Sequence, residues 1–413
     1  MKTTKTESIN PKLKIVIGAL ILITPLATML PYLAMAVLMN DIMASLDIGF
    51  ALAGLSMTVM LAISGLCMFL GSNIQGKIGI RKTIFISVWL MFLGSAVCFI
   101  ADNFAIFFLG RIVSGIGFGL MSVSVMPYMS TWFKGNQRTY MITANLIANS
   151  LASIVALSIA NPISEIFNSW QIVFGIYAAF IAIVALLWML FGRSNTELEE
   201  ASKPNPNIVT EKQSSSLRKA FGVKQFRMLT ICGIFIMCAI TALTTFMPTF
   251  LQNERGFTVG FSVMAANVLN ATFIVGALAG GFIVAKSGKR KIIFQLGIII
   301  MTLGGLLFAF GGTQVLTIIS VTLIGIGFML RMPAQTTITM ETLSPPNPVI
   351  LGGAMAMISG FGQMISLVVA PAFSMLTDGI GMSGAMQVFF GLLAISVVVS
   401  FMVRETGVTA SNL

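Results

Sequence analysis

Two arginines, Arg111 and Arg331, stand inside long apolar runs of the sequence. A guanidinium there stays charged and offers forked donors to a carboxylate or a similar planar anion. No acid stands in the middle of such a run to pair with either. Glu7, Glu197, Glu199, Glu200, Glu211 and Glu405 fall in tails or in one polar stretch. Asp41, Asp47, Asp102, Glu165, Glu254, Glu341 and Asp378 fall at run ends or in short connections. A substrate anion is therefore the counter-charge to which the sequence points, with Arg331 the stronger candidate. The competing reading for Arg331, which precedes the helix-distorting Pro333, is snorkelling toward an interface.

Hydrogen-bonding side chains accompany them in the apolar runs: Tyr32, Asn145, Asn149, Thr241, Thr244, Thr245 and Gln335, with Asn267, Asn270 and Gln363 further along. Asn145 and Asn149 are four apart and share a helix face. Each residue singly reads as well as an interhelical hydrogen bond. The set as a whole is consistent with a small polar cavity.

Other chemistries lack raw material. The chain has no histidine and four cysteines (Cys67, Cys98, Cys232 and Cys238), all within apolar runs at spacings that suggest neither a disulfide framework nor a metal site. No cofactor, no metal and no catalytic residue is expected, and the protein is not expected to be an enzyme. A proton carrier titrating in the membrane, in the form of a buried carboxylate or histidine, is also missing. Asp41 is its nearest stand-in and reads better as a solvated helix-end residue.

The elements that must position these residues are membrane helices. Of 413 residues, 57% are hydrophobic and 9% charged, against about 25% charged in soluble domains. A crossing helix needs roughly 20 apolar residues. Twelve runs qualify, near 15–39, 50–70, 84–100, 104–129, 140–161, 170–192, 228–251, 261–285, 292–310, 315–339, 350–376 and 384–403. The first is too long for the apolar region of a signal peptide and reads as a retained span. The polar stretch at 193–227 divides six spans (1–192) from six more (228–413). It reads as a cytoplasmic linker with a short amphipathic helix, Ser216 to Phe226, on the membrane surface.

Charge placement orients the spans. With the N-terminus inside, the inner side receives Lys2, Lys5, Lys12 and Lys14, the Lys77–Lys82 loop, Lys134 with Arg138, seven basic residues of the linker, the Lys286–Lys291 loop and Arg404. Only Arg255 falls outside. This skew follows the positive-inside rule and puts both termini in the cytoplasm of a multi-pass protein of the inner (cytoplasmic) cell membrane. The formal net charge of +11 is thereby explained without nucleic acid.

The halves echo one another. Lys77-Ile-Gly79-Ile-Arg81-Lys82 after span 2 is answered by Lys286-Ser-Gly288-Lys-Arg290-Lys291 after span 8, and Gly115-Ile-Gly117-Phe118 in span 4 by Gly325-Ile-Gly327-Phe328 in span 10. The offsets are 209 and 210 residues, which points to duplicated six-helix halves. On these motifs the chain resembles the major facilitator superfamily over nearly its whole length. The spans 4, 7 and 10 are most similar to the cyanate- and nitroimidazole-type permeases. The resemblance implies an all-α membrane fold of twelve helices in two pseudo-symmetric bundles, with spans 1, 4, 7 and 10 around a central cavity. It also implies gating by the loops carrying Lys77, Gly79, Arg81, Lys286, Gly288 and Arg290. The family's loop pattern has an acid where this chain has Gly76 and Ala285, so the ion pair built on that acid is not expected in either half. Arg111 falls on a family signature position, where packing or conformational coupling competes with substrate contact.

The expected function is secondary or facilitative transport of a small organic anion by alternating access, through exchange, uniport or symport of a proton that the substrate carries. The expected substrate contacts are Arg331, Arg111, Tyr32, Asn145, Asn149, Thr241, Thr245 and Gln335. A bilayer and a small molecule are the expected partners of a monomer. Efflux of lipophilic drugs is the alternative.

Overall fold

The computed structural model describes residues 11–133, 136–193, 213–343 and 348–406. Lys2, Lys5 and Lys134 of the charge pattern, and the linker residues 194–212, lie outside it. The described residues form helices α1 (Pro11–Val37), α2 (Met39–Leu46), α3 (Phe50–Ile78), α4 (Ile80–Phe99), α5 (Phe104–Trp132), α6 (Asn136–Phe167) and α7 (Trp170–Phe191) in the first half. The second half has α8 (Gln213–Gly222), α9 (Lys224–Asn253), α10 (Val259–Ser287), α11 (Arg290–Phe310), α12 (Gln314–Glu341), α13 (Pro348–Met364), α14 (Ser366–Gly391) and α15 (Leu393–Phe401).

Within a bilayer every backbone polar group must find its partner inside the segment, and the helix is how a linear run achieves this. Ten of the predicted spans correspond to single long helices. The last apolar stretch, Gly353–Phe401, runs for 49 residues, about twice what one crossing needs. Gly381, at φ 77° and ψ 166°, breaks it in two, so the fold has twelve crossings in two bundles of six. Two short elements lie outside the spans. Helix α2 caps one end of the bundle, called here the far face. Helix α8 lies at the other, the linker face.

The predicted surface helix Ser216 to Phe226 takes a different form. It ends at Gly222, and Val223 adopts an extended conformation (φ −82°, ψ 115°) before α9 begins. Ala220 and Phe226 are fully buried against Ala354 and Met357 of α13. Ala220 and Phe226 are thus covered by protein, while Phe221 stays exposed.

Glycines set the close packing inside each half, and their contacts repeat with the sequence. A Cβ on Gly117 would lie 2.7 Å from Ser87 O and 2.9 Å from Met91 N; one on Gly327 would lie 2.6 Å from Gly297 O and 2.5 Å from Met301 N. Every residue in the second set is the first plus 210. Gly115 likewise meets Met60 and Ile63 of α3, and Gly325 meets Leu269 and Thr272 of α10. Backbones touch at these points, so a methyl group has nowhere to go. Gly117→Ala and Gly327→Ala are each expected to destabilise the protein by about 1–3 kcal/mol, the usual cost of overpacking. Gly391→Ala, whose Cβ meets nothing within 4 Å, is expected to be neutral or stabilising. Thermal unfolding of the three variants in detergent checks this.

Candidate transport cavity and its charged neighbours

A cavity of about 850 Å³ lies between the halves. Its walls come from α1, α5 and α6 on one side and from α9, α10, α12 and α13 on the other. Most lining residues of α5, α6 and α10 belong to the portions of those helices nearer the linker face. Among the described residues no lining side chain is charged.

The polar part of the wall is made of helix-face stripes. Thr24, Thr28 and Tyr32 follow one another at four-residue spacing on α1, and Asn145, Asn149 and Ser153 do so on α6. Such spacing keeps side chains on one face. The stripes are bonded together: Asn145 Nδ2 donates to Ile21 O at 3.4 Å, Asn149 Nδ2 to Asn145 O at 2.8 Å, and Ser153 Oγ to Asn149 O at 2.9 Å. Thr24 Oγ1 accepts from Trp188 Nε1 at 3.1 Å, which fixes the first turn of its stripe. Across the cavity stand Thr244, Asn270 and Gln363. The Tyr32 hydroxyl is hydrogen-bonded with Thr244 of the opposite half, and Gln363 Oε1 accepts from Ser64 Oγ at 2.8 Å, also across the halves. Met29, Met121, Met126, Met329 and Met332 supply an adaptable apolar remainder.

Of the predicted substrate contacts, Tyr32, Asn145 and Asn149 line the cavity; Arg111, Arg331, Thr241, Thr245 and Gln335 do not. Thr241 turns to Ser366 Oγ at 3.1 Å, and Thr245 is wholly buried. Thr244, between them, is the one that faces the cavity. The hydroxyls of Thr24, Thr28, Ser122, Ser150 and Ser153 were missed, although the four-residue spacing continues through three of them.

The two arginines have opposite surroundings. Arg111 is fully buried and its donors are used: Nε to Ser56 O at 2.9 Å, Nη1 to Pro31 O at 2.5 Å and Nη2 to Tyr32 O at 3.5 Å. It ties α5 to α1 and α3 through backbone carbonyls. Arg331 is equally buried at 1% exposure, yet its Nε and Nη2 have no hydrogen-bond partner. Its Nη1 donates to Gln335 Oε1, and the guanidinium lies over the Phe328 ring at 4.8 Å. Met329 and Met332, its close neighbours in sequence, both line the cavity.

The gating loops also differ between the halves. Both conserve the geometry of the echo, with Gly79 at φ 86° and Gly288 at φ 67°, values that favour glycine. Lys77, Arg81 and Lys286 are exposed. Arg290, however, has an acid after all: Glu341 at the end of α12, 3.3 Å away. Glu405 accepts from the backbone N–H groups of Arg290 and Lys291 at 3.0 and 3.1 Å, at the positive end of the α11 dipole. Both acids were read as plain span-end or tail residues. Only folding brings them to the loop. At the far face, Asp41 on α2 stands near Ser164 and Glu165; partial burial and then the Glu165 charge push its carboxyl up, against a hydrogen bond from Ser164.

A cavity between two six-helix bundles, walled by both, is an arrangement that suits a membrane transporter. The chain belongs to the major facilitator superfamily, whose family model matches residues 17–367. It is 24% identical over 367 residues to a hexuronate transporter of Bacillus subtilis, covering 83% of this chain and 85% of that one. A multidrug transporter protein of the same organism, MdtP, is 23% identical over 316 residues, 64% of this chain and 58% of its own. Among solved structures, a POT family transporter crystallised with 5-aminolevulinic acid superposes with a TM-score of 0.74 at 14% identity, over 94% of this chain and 95% of that one. That last likeness concerns the fold. These names lend no support to a cyanate-type branch.

The contrast between the arginines has a thermodynamic consequence. Arg111→Met removes three charge-assisted hydrogen bonds, each typically about 1.5–3 kcal/mol. Arg331→Met removes a buried cation with unused donors, a change that is often neutral or stabilising. Arg111→Met is therefore expected to be the less stable variant by at least about 2 kcal/mol, as read from paired unfolding curves in detergent.

Proposed function

We propose that this transporter moves a small hydroxylated organic anion, with the hydroxyls and amides of the cavity holding its body and Arg331 supplying the counter-charge. The observation that carries this reading is the pair of unpartnered donors, Nε and Nη2, on the buried Arg331. Leaving such groups unsatisfied costs several kcal/mol, and a carboxylate brought near would meet them. Arg111, whose donors are committed to carbonyls, is assigned to holding α1, α3 and α5 together. The hexuronate relative transports a compound of the proposed class and supports the assignment. A cavity of about 850 Å³ lies within the usual range for small-molecule sites.

With no carboxylate among the described lining residues, the cycle is exchange, uniport or symport in which the substrate brings its own proton. The halves 1–192 and 228–413 rock against each other with 193–227 as their tether. The placement of the basic residues supports a cytoplasmic linker face, and the working unit in this reading is a monomer in the inner cell membrane. A second reading, efflux of lipophilic compounds, is favoured by the five methionines of the wall and by the multidrug relative.

The test is thermal unfolding of the purified protein with glucuronate, with glucose and with tetraphenylphosphonium. A ligand at 100 times its dissociation constant adds about 2.7 kcal/mol. Protection by glucuronate that Arg331→Gln abolishes and Arg111→Lys retains is the expected result. Protection that survives Arg331→Gln removes that residue from the site. Protection by the lipophilic cation alone replaces the anion reading with efflux.

A further inference from the structure

The halves meet at the far face through aromatic rings. Phe246 of α9 is fully buried, and its ring stacks on Phe373 of α14 with centroids 4.3 Å apart and planes 14° apart. Both belong to the second half. From the first half, Phe50 at the start of α3 lies 4.8 Å from Phe246 and 6.1 Å from Phe373. One turn further along α3 is Gly54, and the Phe246 ring occupies the place where its side chain would be. A Cβ there would come within 2.5 Å of Phe246 Cζ and 3.1 Å of Ala370 Cβ. The polar contacts beside this stack are long: Asn40 Nδ2 to Gln252 Oε1 at 3.5 Å, and Thr249 Oγ1 to Met39 Sδ at 3.6 Å.

For the cavity to face the other side of the membrane, some contact between halves at the far face has to part. The Phe246–Phe373 stack travels with one half and survives the motion. What separates is the surface between Phe50 and Gly54 on one side and Phe246, Phe373 and Ala370 on the other. We propose that Phe246 seated on the bare backbone of Gly54 is the closing contact of the far gate, made and broken once per transport cycle. The fit leaves no room for a methyl group, so a side chain at position 54 props the far side open. Dispersion contacts fall off within a fraction of an ångström, so this gate has a sharp closed position and little hold once parted. The proposal rests on the alternating-access reading and is independent of which substrate is carried.

The experiment needs no substrate. The four native cysteines are replaced by alanine, a single cysteine is placed in the cavity at Ser153, and its reaction with a membrane-impermeant maleimide is timed from each face. Gly54→Ala is expected to raise the rate from the far face roughly tenfold, the population shift that ordinary overpacking strain produces, and to lower the rate from the linker face. Adding Phe246→Val, which frees the space the methyl group needs, is expected to return both rates toward those of the parent. An unchanged far-face rate in Gly54→Ala overturns the gate, and so does a rise at both faces together, which reports general loosening. If Gly54→Ala alone does not fold, Phe246→Val with Gly54 kept serves instead: it leaves the Gly54 backbone uncovered and is expected to raise the far-face rate without raising the linker-face rate, and an unchanged far-face rate there overturns the assignment. A parent cavity cysteine that reacts from one face only under every condition defeats the alternating-access reading itself, a different failure from that of the gate.

Discussion

Backbone-to-backbone contact at glycine is the constraint on which the rest of the molecule depends. In lipid there is no hydrophobic drive to bring helices together, so association comes from close packing and interhelical hydrogen bonds. Gly115, Gly117, Gly325 and Gly327 let α5 and α12 lie directly on their neighbours within one half. Each half is thereby a stiff body. In the proposed alternating-access cycle, such close packing leaves the motion to the seam between the halves.

The contacts between halves have a different character. Ser64 reaches Gln363, Tyr32 reaches Thr244, and Asn267 Nδ2 donates to Ser158 Oγ at 2.8 Å. These are neutral, single hydrogen bonds with small individual worth, joined by rings and thioethers. The charged contacts described above lie inside the halves instead. Arg111 binds carbonyls in the first, and Arg290 with Glu341 and Glu405 fastens helix ends in the second. A seam built of weak terms separates and closes at little net cost, whereas a buried ion pair there would favour one state strongly.

The fold was legible because its two signals are coarse and robust. Apolar length marks a crossing regardless of neighbours, and the echo at 209–210 residues survives where most side chains have diverged. The cavity was legible only in part. Asn145 and Asn149 announced a polar face by spacing, and Tyr32 lines the cavity with them; Thr241 and Thr245 do not, because a hydroxyl buried within one bundle has the same sequence signature as one lining a cavity. One residue of rotation, about 100°, separates Thr245 from Thr244. Arg331 illustrates the same limit: a buried cation is visible in the sequence, but whether its donors are used depends on helices far away along the chain. Glu341 and Glu405 were passed over for the same reason, since each lies more than fifty residues from Arg290.

The segment Arg404–Thr406 fastens three helix ends of the second half at once. Arg404 and Gln225 exchange backbone and side-chain hydrogen bonds at 3.0 and 2.9 Å, Glu405 covers the start of α11, and Thr406 Oγ1 donates to Glu341 Oε2 at 2.9 Å. These residues are translated after every one of the twelve crossings. The second bundle is therefore left without its clasp until its own last crossing has been made, long after the six helices of the first have emerged. Biogenesis of this protein accordingly has a late locking step, performed by three residues.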